Sequence, residues 1–292
     1  MMYTIKNRHM TVTIHDLGAE LMSITGADGT EYLWNGDPKY WHERSPVLFP
    51  YVGRLTGSSY TLHGKQYTMG LHGFARHFPF VPAIEEESRI VFGFCDNEET
   101  RKIYPYAFDF SITYELEANR LNIIYAVENR SQQTMYFGLG RHPGFRLPME
   151  AGRQFEDYRL EFGSFCRPSR VLMSENYMNS GREVPFYLEN GTTLPLRHDL
   201  FDHDAIIFDH SAKTVTLSAG EGSRGVTVHF PQMRYLGVWH TTGSREAPFV
   251  CLEPWVSLPS REGIVEEFSQ QGDLIRLESG EIYDNSWSIT IF

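Results

Sequence analysis

Short apolar runs, each closed by turn-forming residues, recur along the whole chain and constrain its fold more than any other feature. Many alternate apolar and polar positions, a period of two that places successive side chains on opposite faces of a β-strand. These runs are Thr11–Ile14, Leu21–Ile24, Arg89–Phe94, Phe108–Leu116, Leu121–Asn129, Met135–Leu139, Ala205–Phe208, Thr214–Ser218, Gly225–Phe230, Leu236–His240, Phe249–Glu253 and Ser286–Phe292. No segment sustains a helical period, so the pattern predicts an all-β, many-stranded sandwich. One or two turns of helix are expected around Pro38–His42 and Glu99–Tyr106.

One connection between runs has the character of a tight hairpin. The polar turn Glu117–Arg120 separates two stretches rich in β-branched and aromatic residues, and such a turn favours antiparallel pairing of its neighbours. The least regular segment is Arg167–His198, which is rich in proline and glycine and is expected to pass over one face of a sheet. No repeat, low-complexity tract or long linker divides the chain, so we predict a single domain over residues 1–292.

The charge balance and the cysteine content limit the partners and the compartment. The chain carries 26 Lys and Arg against 37 Asp and Glu, a net charge of −11 that disfavours nucleic acids and anionic membrane surfaces. Cys95, Cys166 and Cys251 form no close pair, so neither a disulfide framework nor a thiolate zinc site is indicated. The first residues lack the layout of a secretory signal, and no apolar run approaches the roughly 18 residues of a membrane span. These features predict a cytoplasmic protein. They leave open whether it is a monomer or a homodimer.

Metal binding and nucleophilic catalysis have weak support. A patch rich in His and Asp has metal-ligating side chains but no helical ligand spacing, which favours a solvated acidic loop. Its members are His198, Asp202, His203, Asp204, Asp209 and His210. The chain also has no G-x-S-x-G nucleophile elbow and no Gly-rich phosphate loop.

His142 and Glu253 share a setting that suits acid–base catalysis. Each closes an apolar run and is followed by proline, which holds the preceding residue extended and ends strand pairing. Both side chains are therefore predicted at strand ends, where fixed geometry would serve proton transfer. On spacing alone, a plain surface placement of both side chains remains the favoured interpretation.

Four short motifs together resemble the aldose 1-epimerase family, in particular its bacterial LacX-type branch. They occur in the family's order and at its approximate separations, and the resemblance covers nearly the whole chain. The motifs are Gly53-Arg54, Leu71-His72-Gly73-Phe74-Ala75-Arg76, Gly140-Arg141-His142-Pro143-Gly144-Phe145 and Cys251-Leu252-Glu253-Pro254-Trp255. The resemblance implies a galactose mutarotase-like β-supersandwich of antiparallel strands.

The resemblance also implies a set of residue roles. His142 matches the family's general acid and Glu253 its general base, which together open and reclose a sugar ring without metal, cofactor or covalent intermediate. At neutral pH we expect His142 to be protonated beside the carboxylate and Glu253 to be ionised. His72 and Arg54 match residues that hold oxygens of the sugar, and Asp204, with Asp202 as its alternative, resembles the binding aspartate. Arg76 is expected to be a hydroxyl donor or a structural ion-pair residue. The aromatic residues Phe145 and Trp255, with Trp239 and Phe74 nearby, are expected either to line the sugar cleft or to fill the core.

Three functions remain open at this point. The first is a mutarotase that interconverts the α and β anomers of a free hexose. The second is a hexose-6-phosphate 1-epimerase, suggested by Arg54, Arg76 and Arg141, because phosphate recognition often uses clustered arginines. The third is a sugar-binding protein without catalysis, which a shared fold alone does not distinguish from an enzyme.

Overall fold

The computed structural model describes all 292 residues, and its regular secondary structure is almost entirely β-strand. The strands are β1 Met2–Lys6, β2 Met10–His15, β3 Glu20–Gly26, β4 Val47–Leu48, β5 Ser59–Leu62, β6 Lys65–Thr68, β7 Val81–Glu85, β8 Arg89–Cys95, β9 Phe108–Glu117, β10 Arg120–Asn129, β11 Met135–Phe137, β12 Gly140–Arg141, β13 Gly144–Arg146, β14 Arg159–Phe162, β15 Ser169–Met173, β16 Asn179–Pro185, β17 Thr193–Pro195, β18 Ile206–Asp209, β19 Thr214–Ser218, β20 Gly225–His229, β21 Tyr235–Trp239, β22 Phe249–Trp255, β23 Ile275–Leu277 and β24 Ile282–Ile291. The one α-helix is α1, Glu98–Ile103, and short 3-10 turns occupy Thr56–Ser58, Ala75–His77, Phe155–Asp157 and His198–Phe201. No helix has the length and apolar character needed to cross a membrane.

Two large antiparallel sheets dominate the architecture. One has nine strands in the order β17-β14-β19-β20-β24-β10-β9-β8-β7. The other has eight in the order β16-β15-β18-β21-β22-β12-β4, with β13 pairing beside β12 on β22. Smaller sheets of β1-β2-β3, β5-β6 and β11-β23 complete the fold. The predicted many-stranded all-β sandwich is therefore confirmed.

The main hydrophobic core is built by strand alternation. In β9 and β10 every second residue is buried, and their apolar side chains join a cluster of 66 buried residues that runs from Ile5 to Ile291. The predicted hairpin between these strands is confirmed, with Glu117 paired to Arg120 across the turn. The single-domain organisation stays a prediction.

The two expected helical segments have different outcomes. Residues 38–42 form turns rather than a helix. Near residue 100, α1 begins after Asn97, whose side chain accepts hydrogen bonds from the backbone N–H groups of Glu99 and Thr100. It ends at Ile103 because Tyr104 precedes Pro105, and a residue before proline is disfavoured in the α region.

The segment Arg167–His198 is not the irregular crossing that its composition predicts. It contributes β15 and β16, an antiparallel pair at one edge of the eight-stranded sheet, and β17 at one edge of the nine-stranded sheet. Most of the turn-forming residues that suggested a loop lie between these short edge strands or at their ends, and Gly181 is the exception. Gly181 has a φ of +73° within β16, where a non-glycine residue would be strained.

Glu253 does not lie at a strand end, contrary to the prediction from Pro254. Strand β22 continues through the proline to Trp255. On the edge that faces β12 and β13, the N–H of Leu252 donates to the carbonyl of Pro143, and the N–H of Val256 donates to Leu139. Pro254 lies between these two donors, beside the break between β12 and β13. Its missing N–H therefore costs no ladder hydrogen bond, and the strand need not stop there.

Candidate active site

A pocket of about 330 Å³ lies on the face of the eight-stranded sheet that points away from the main core. Along β22, Val250 and Leu252 join the main core, and the alternate residues Cys251, Glu253 and Trp255 therefore face the opposite side. The predicted site residues that line this pocket are Arg54, His72, Arg76, His142, Asp204, Glu253 and Trp255. Residues separated by up to about two hundred positions thus meet in one cavity, whose volume is at the lower end of the small-molecule range.

His142 and Glu253 form the closest pair of ionisable groups in this pocket. His142 Nε2 lies 3.3 Å from Glu253 Oε2, and the two side chains are 11% and 1% exposed. The contact is not aligned as a hydrogen bond, and both His142 Nδ1 and Glu253 Oε2 are buried without a hydrogen-bond partner in the protein. Buried polar atoms are nearly always satisfied, so unmet capacity on two adjacent groups marks a place where a polar ligand can bind.

Three aromatic rings hold the imidazole of His142 in place. Its ring centroid lies 4.6 Å from Trp41 at a tilt of 31°, 5.3 Å from Trp239 and 5.7 Å from His72, the last two edge-on. Rings packed on several sides restrict rotation about the side-chain bonds. The imidazole therefore presents a fixed edge to Glu253, which proton transfer requires.

Burial shifts the pKa values of this pair away from the charge states that the sequence predicted. Desolvation, with a smaller effect of the Arg76 charge, lowers the pKa of His142 to about 3. Desolvation and the nearby carboxylate of Asp204 raise the pKa of Glu253 well above its usual range. Both shifts favour the neutral forms of His142 and Glu253, because burial opposes the charge on each side chain more strongly than its partner in the pair stabilises that charge. The pair still holds one proton that can move between the two side chains.

The floor of the pocket depends on two glycines that flank the indole of Trp255. Gly140 pairs with Trp255 from β12, and Gly237 pairs with Glu253 from β21. A methyl group at Gly140 would lie 2.6 Å from the indole, and one at Gly237 would lie 2.9 Å from it and 3.2 Å from the Glu253 side chain. The absence of these side chains lets the large ring lie flat on the sheet beside the carboxylate.

His72 and Asp204 both occupy the left-handed backbone region, with φ values of +62° and +73°. Non-glycine residues held there are concentrated at functional sites. The Gly53 N–H donates to His72 Nδ1 at 3.0 Å, so the neutral ring carries its proton on Nε2 as a hydrogen-bond donor. Asp204 Oδ1 accepts from Thr242 Oγ1 at 3.2 Å. Of the two candidate aspartates, Asp204 lines the pocket, whereas Asp202 pairs with an arginine outside it.

The three arginines of the sequence motifs have different surroundings. Arg54 is exposed at the pocket rim, with its guanidinium 5.6 Å from the ring of Tyr177. Arg76 pairs with Glu43 at 3.2 Å inside the pocket. Arg141 is fully buried on the opposite side of its strand and donates to the carbonyl of Ala19 at 2.9 Å. Arg141 is therefore absent from the pocket lining and unable to contribute to phosphate recognition there.

Phe145 does not line the pocket, which contradicts the sequence prediction. It pairs with Val250 in the sheet and points into the main core, where it is fully buried. Phe74 is likewise a core residue. A short strand alternates its side chains between faces, and the sequence alone does not show which face each one takes.

Sequence reasoning missed Glu43, Tyr177 and the position of Trp41 against His142. Trp41 and Glu43 come from the turns before β4, and Tyr177 comes from the turn between β15 and β16. Each is separated by many residues from the motifs that carry chemistry. The only available signal was local, since Trp41 and Glu43 lie a few positions before the run Pro46-Val47-Leu48-Phe49-Pro50.

The His/Asp-rich patch does not gather into a metal centre. His198 Nδ1 lies 3.0 Å from His240 Nε2, Asp202 pairs with Arg245, and Asp209 pairs with Arg234. The ligand atoms of His142, Cys251 and Glu253 lie within 4.8 Å of one another. Cys251 packs among the buried side chains of Trp34, Ala247 and Phe249, as an apolar core residue does.

Comparison with known proteins relates the chain to one family. The sequence model of the aldose 1-epimerase family matches residues 1–289. Protein LacX of Lactococcus lactis subsp. lactis is 33% identical over 303 aligned positions, which cover all of this chain and 99% of that protein.

Two solved structures resemble the whole chain. A galactose mutarotase related enzyme from Lactobacillus acidophilus has a TM-score of 0.94 and 32% identity, and the comparison covers 100% of this chain and 97% of that one. A galactose mutarotase-like protein from Lactobacillus casei has a TM-score of 0.95 and 29% identity over the full length of both chains. The predicted galactose mutarotase-like supersandwich and the LacX-type resemblance are therefore confirmed. The chain belongs to the aldose 1-epimerase family, whose members are epimerase-type isomerases.

Proposed function

We propose that the protein is an aldose 1-epimerase that interconverts the α and β anomers of a free hexose. One observation carries the proposal, namely the 3.3 Å contact between His142 and Glu253 in a buried pocket, with unmet hydrogen-bonding capacity on both. Anomer exchange requires one group that donates a proton and one that accepts it at neighbouring oxygen atoms. The pocket volume of about 330 Å³ is compatible with one hexose ring.

In the proposed reaction, Glu253 accepts the proton of the C1 hydroxyl while His142 donates a proton to the ring oxygen O5. The C1–O5 bond breaks and its electron pair remains on O5, which yields the open-chain aldehyde. Rotation about C1–C2 exposes the other face of the carbonyl, and the reverse proton transfers close the ring as the second anomer. The enzyme ends with its starting protonation, so no redox partner is required.

The shared proton reconciles this mechanism with the effect of burial. The pair with the proton on His142 has the same net charge as the pair with the proton on Glu253. Hydrogen bonds from sugar hydroxyls to a carboxylate favour its ionised form. Substrate hydroxyls near Glu253 would therefore shift the proton to His142 and prepare the acid and the base together.

The remaining lining residues supply partners for the sugar. The Nε2–H of His72 and the guanidinium of Arg54 are donors, and the carboxylate of Asp204 is an acceptor. The rings of Trp239 and Trp255 offer flat apolar surfaces for the C–H faces of a pyranose. These contacts position C1 beside Glu253 in the proposal, and Asp204 approaches the sugar from the same end.

A direct measurement of anomer exchange tests the proposal. We expect the purified protein to accelerate exchange of α- and β-glucose or α- and β-galactose, followed by NMR exchange spectroscopy or polarimetry. The 6-phosphates of both sugars are measured in parallel. Acceleration of the phosphates alone would instead assign a hexose-6-phosphate 1-epimerase. Tight binding of the free sugars without faster exchange would assign a non-catalytic sugar-binding protein.

A further inference from the structure

We infer that Glu43 is a specificity-determining residue that holds Arg76 for a neutral hydroxymethyl group of the sugar and excludes a phosphate from that end of the pocket. The inference rests on the proposed function, because that function orients the sugar. Glu43 and Arg76 both line the pocket, and neither belongs to the acid–base pair.

The contact between the two side chains is close and largely shielded from solvent. Arg76 Nη1 lies 3.2 Å from Glu43 Oε2, and the side chains are 14% and 19% exposed. Shielded ion pairs hold their geometry better than surface pairs, which water and salt screen. Burial raises the pKa of Glu43, and the opposing charge of Arg76 favours its ionised form. The guanidinium therefore has a carboxylate partner before any ligand arrives.

The position of the pair in the pocket indicates which part of the sugar it meets. In the strand order β18-β21-β22-β12-β4, Asp204 precedes β18, Glu253 lies in β22 and His142 follows β12. Glu43, which holds Arg76, precedes β4, so Arg76 lies beyond His142 and Asp204 lies beyond Glu253. The two charged groups thus mark opposite ends of the acid–base pair. In the proposed orientation His142 faces O5, and the next ring atom beyond O5 is C5, which carries C6. The pair Glu43–Arg76 therefore lies toward C6, and Asp204 lies toward C2.

A neutral hydroxyl and a phosphate would interact with this pair in different ways. A hydroxyl can donate to the Glu43 carboxylate and accept from the Arg76 guanidinium without separating them. A phosphate carries close to two negative charges at neutral pH and would have to replace Glu43 on Arg76 while remaining beside that carboxylate. Like charges at such separations repel strongly where water is excluded. Glu43 thus selects against the ligand that Arg76 alone would attract.

The substitution Glu43→Gln removes this negative charge and keeps the shape of the side chain. We expect E43Q to bind glucose 6-phosphate at least about 10-fold more tightly than the unmodified protein does, measured by calorimetry or ligand-observed NMR. The ratio of kcat/KM for glucose to that for glucose 6-phosphate should fall at least about 10-fold, a change of about 1.4 kcal/mol in relative transition-state stabilisation. The KM for glucose should rise severalfold, because one hydroxyl loses a charged acceptor.

Three further variants separate this role from general effects of charge and folding. Glu246→Gln removes one negative charge from an exposed side chain outside the pocket and should leave both affinities unchanged. Glu43→Asp keeps the charge and should retain discrimination against the phosphate. In the double variant E43Q/R76Q the gain in phosphate affinity should disappear, because the gain depends on the freed guanidinium. Thermal unfolding curves confirm that each variant is folded.

The outcomes decide the inference independently of the reaction. If E43Q binds glucose 6-phosphate no more tightly than the unmodified protein, or if E246Q produces the same gain, the role of Glu43 is wrong. If the gain survives in E43Q/R76Q, the phosphate does not bind where we place it, and the inference is equally wrong. Absence of anomer exchange in the unmodified protein would overturn the proposed function alone, since the binding comparison needs no turnover.

Discussion

The nine-stranded and eight-stranded sheets bury their residues in different ways. In β9 and β10 buried and partly exposed residues alternate, so one face packs on the core and the other is more open to solvent. In the eight-stranded sheet, all residues of β18 and β22 and all but the last of β21 are buried, so both faces are covered. An antiparallel sheet commonly leaves one face to water, and the second covering must therefore come from loops.

The loops that cover the outer face of the eight-stranded sheet form a site that is separate from the main core. Loops over the outer face of the eight-stranded sheet enclose polar side chains that a core could not accept, because a buried polar group without a partner is costly. Asn129 shows how a buried polar side chain is ordinarily satisfied, since it is fully buried in β10 and donates from Nδ2 to two backbone carbonyls. Glu253 Oε2 and His142 Nδ1 have no such partners. The unmet hydrogen-bonding capacity of these two groups is available to a polar ligand in the pocket.

The largest expected effect comes from removing the acid or the base. We expect Glu253→Gln and His142→Asn each to reduce the exchange rate by ~10²-fold or more, since positioned proton transfer commonly contributes that much. Sugar binding should persist, because both replacements keep a polar side chain in the pocket. Unfolding curves in urea check that each variant is folded. Near-normal exchange in both variants would contradict the proposed roles of His142 as acid and Glu253 as base.

A substitution in the core of the nine-stranded sheet should lower stability and leave catalysis unchanged. Ile123 is fully buried in β10 and belongs to the main core. Replacing it with alanine should lower the free energy of unfolding by roughly 2–5 kcal/mol through lost burial and a residual cavity. The KM and kcat of the folded fraction should remain close to those of the unmodified protein. A large change in KM would mean that the two sheets are coupled more tightly than their packing suggests.

His240, a buried histidine directly after β21, makes the stability of the fold depend on pH. Burial lowers the pKa of His240 to about 4, with smaller contributions from His198 and Arg245, whereas an unfolded histidine titrates near 6.5. Between these values the unfolded chain binds the extra proton and the folded chain does not, so stability falls as pH falls. The free energy of unfolding should decrease by up to about 1.4 kcal/mol per pH unit for this histidine. His240→Gln should show a shallower dependence in urea titrations between pH 6.5 and 4; an unchanged slope would contradict the assignment.

The smallest effect concerns the support of the binding aspartate. Thr242 Oγ1 donates to Asp204 Oδ1 at 3.2 Å and accepts from the indole N–H of Trp239 at 3.4 Å. Thr242→Val keeps the shape of the side chain and removes this hydrogen bond, which is worth about 1–2 kcal/mol next to a charged group. We expect KM for the free sugar to rise by roughly 5- to 20-fold with kcat nearly unchanged. A loss confined to kcat would instead place Asp204 in the chemical step.

Much of the framework could be predicted from the sequence, because its signals are local. The period of two and the turn residues depend on neighbouring positions, and they identified the hairpin of β9 and β10 correctly. The motifs around His142 and Glu253 likewise identified two side chains that the fold brings to 3.3 Å of each other. Local patterns of this kind remain readable without coordinates because the residues that carry them are adjacent in the chain.

What only the tertiary structure decided was the direction and the partner of each side chain. Phe145 and Arg141 lie beside His142 in sequence, yet both point away from the pocket, because register and strand pairing assign the faces. Glu253 lies within a continuous strand because the neighbouring edge breaks opposite Pro254, which is a contact between distant segments. The pairing of Arg76 with Glu43 joins residues that no local pattern connects. Burial, and with it the reversed pKa shifts of the acid–base pair, arises only when these segments pack together.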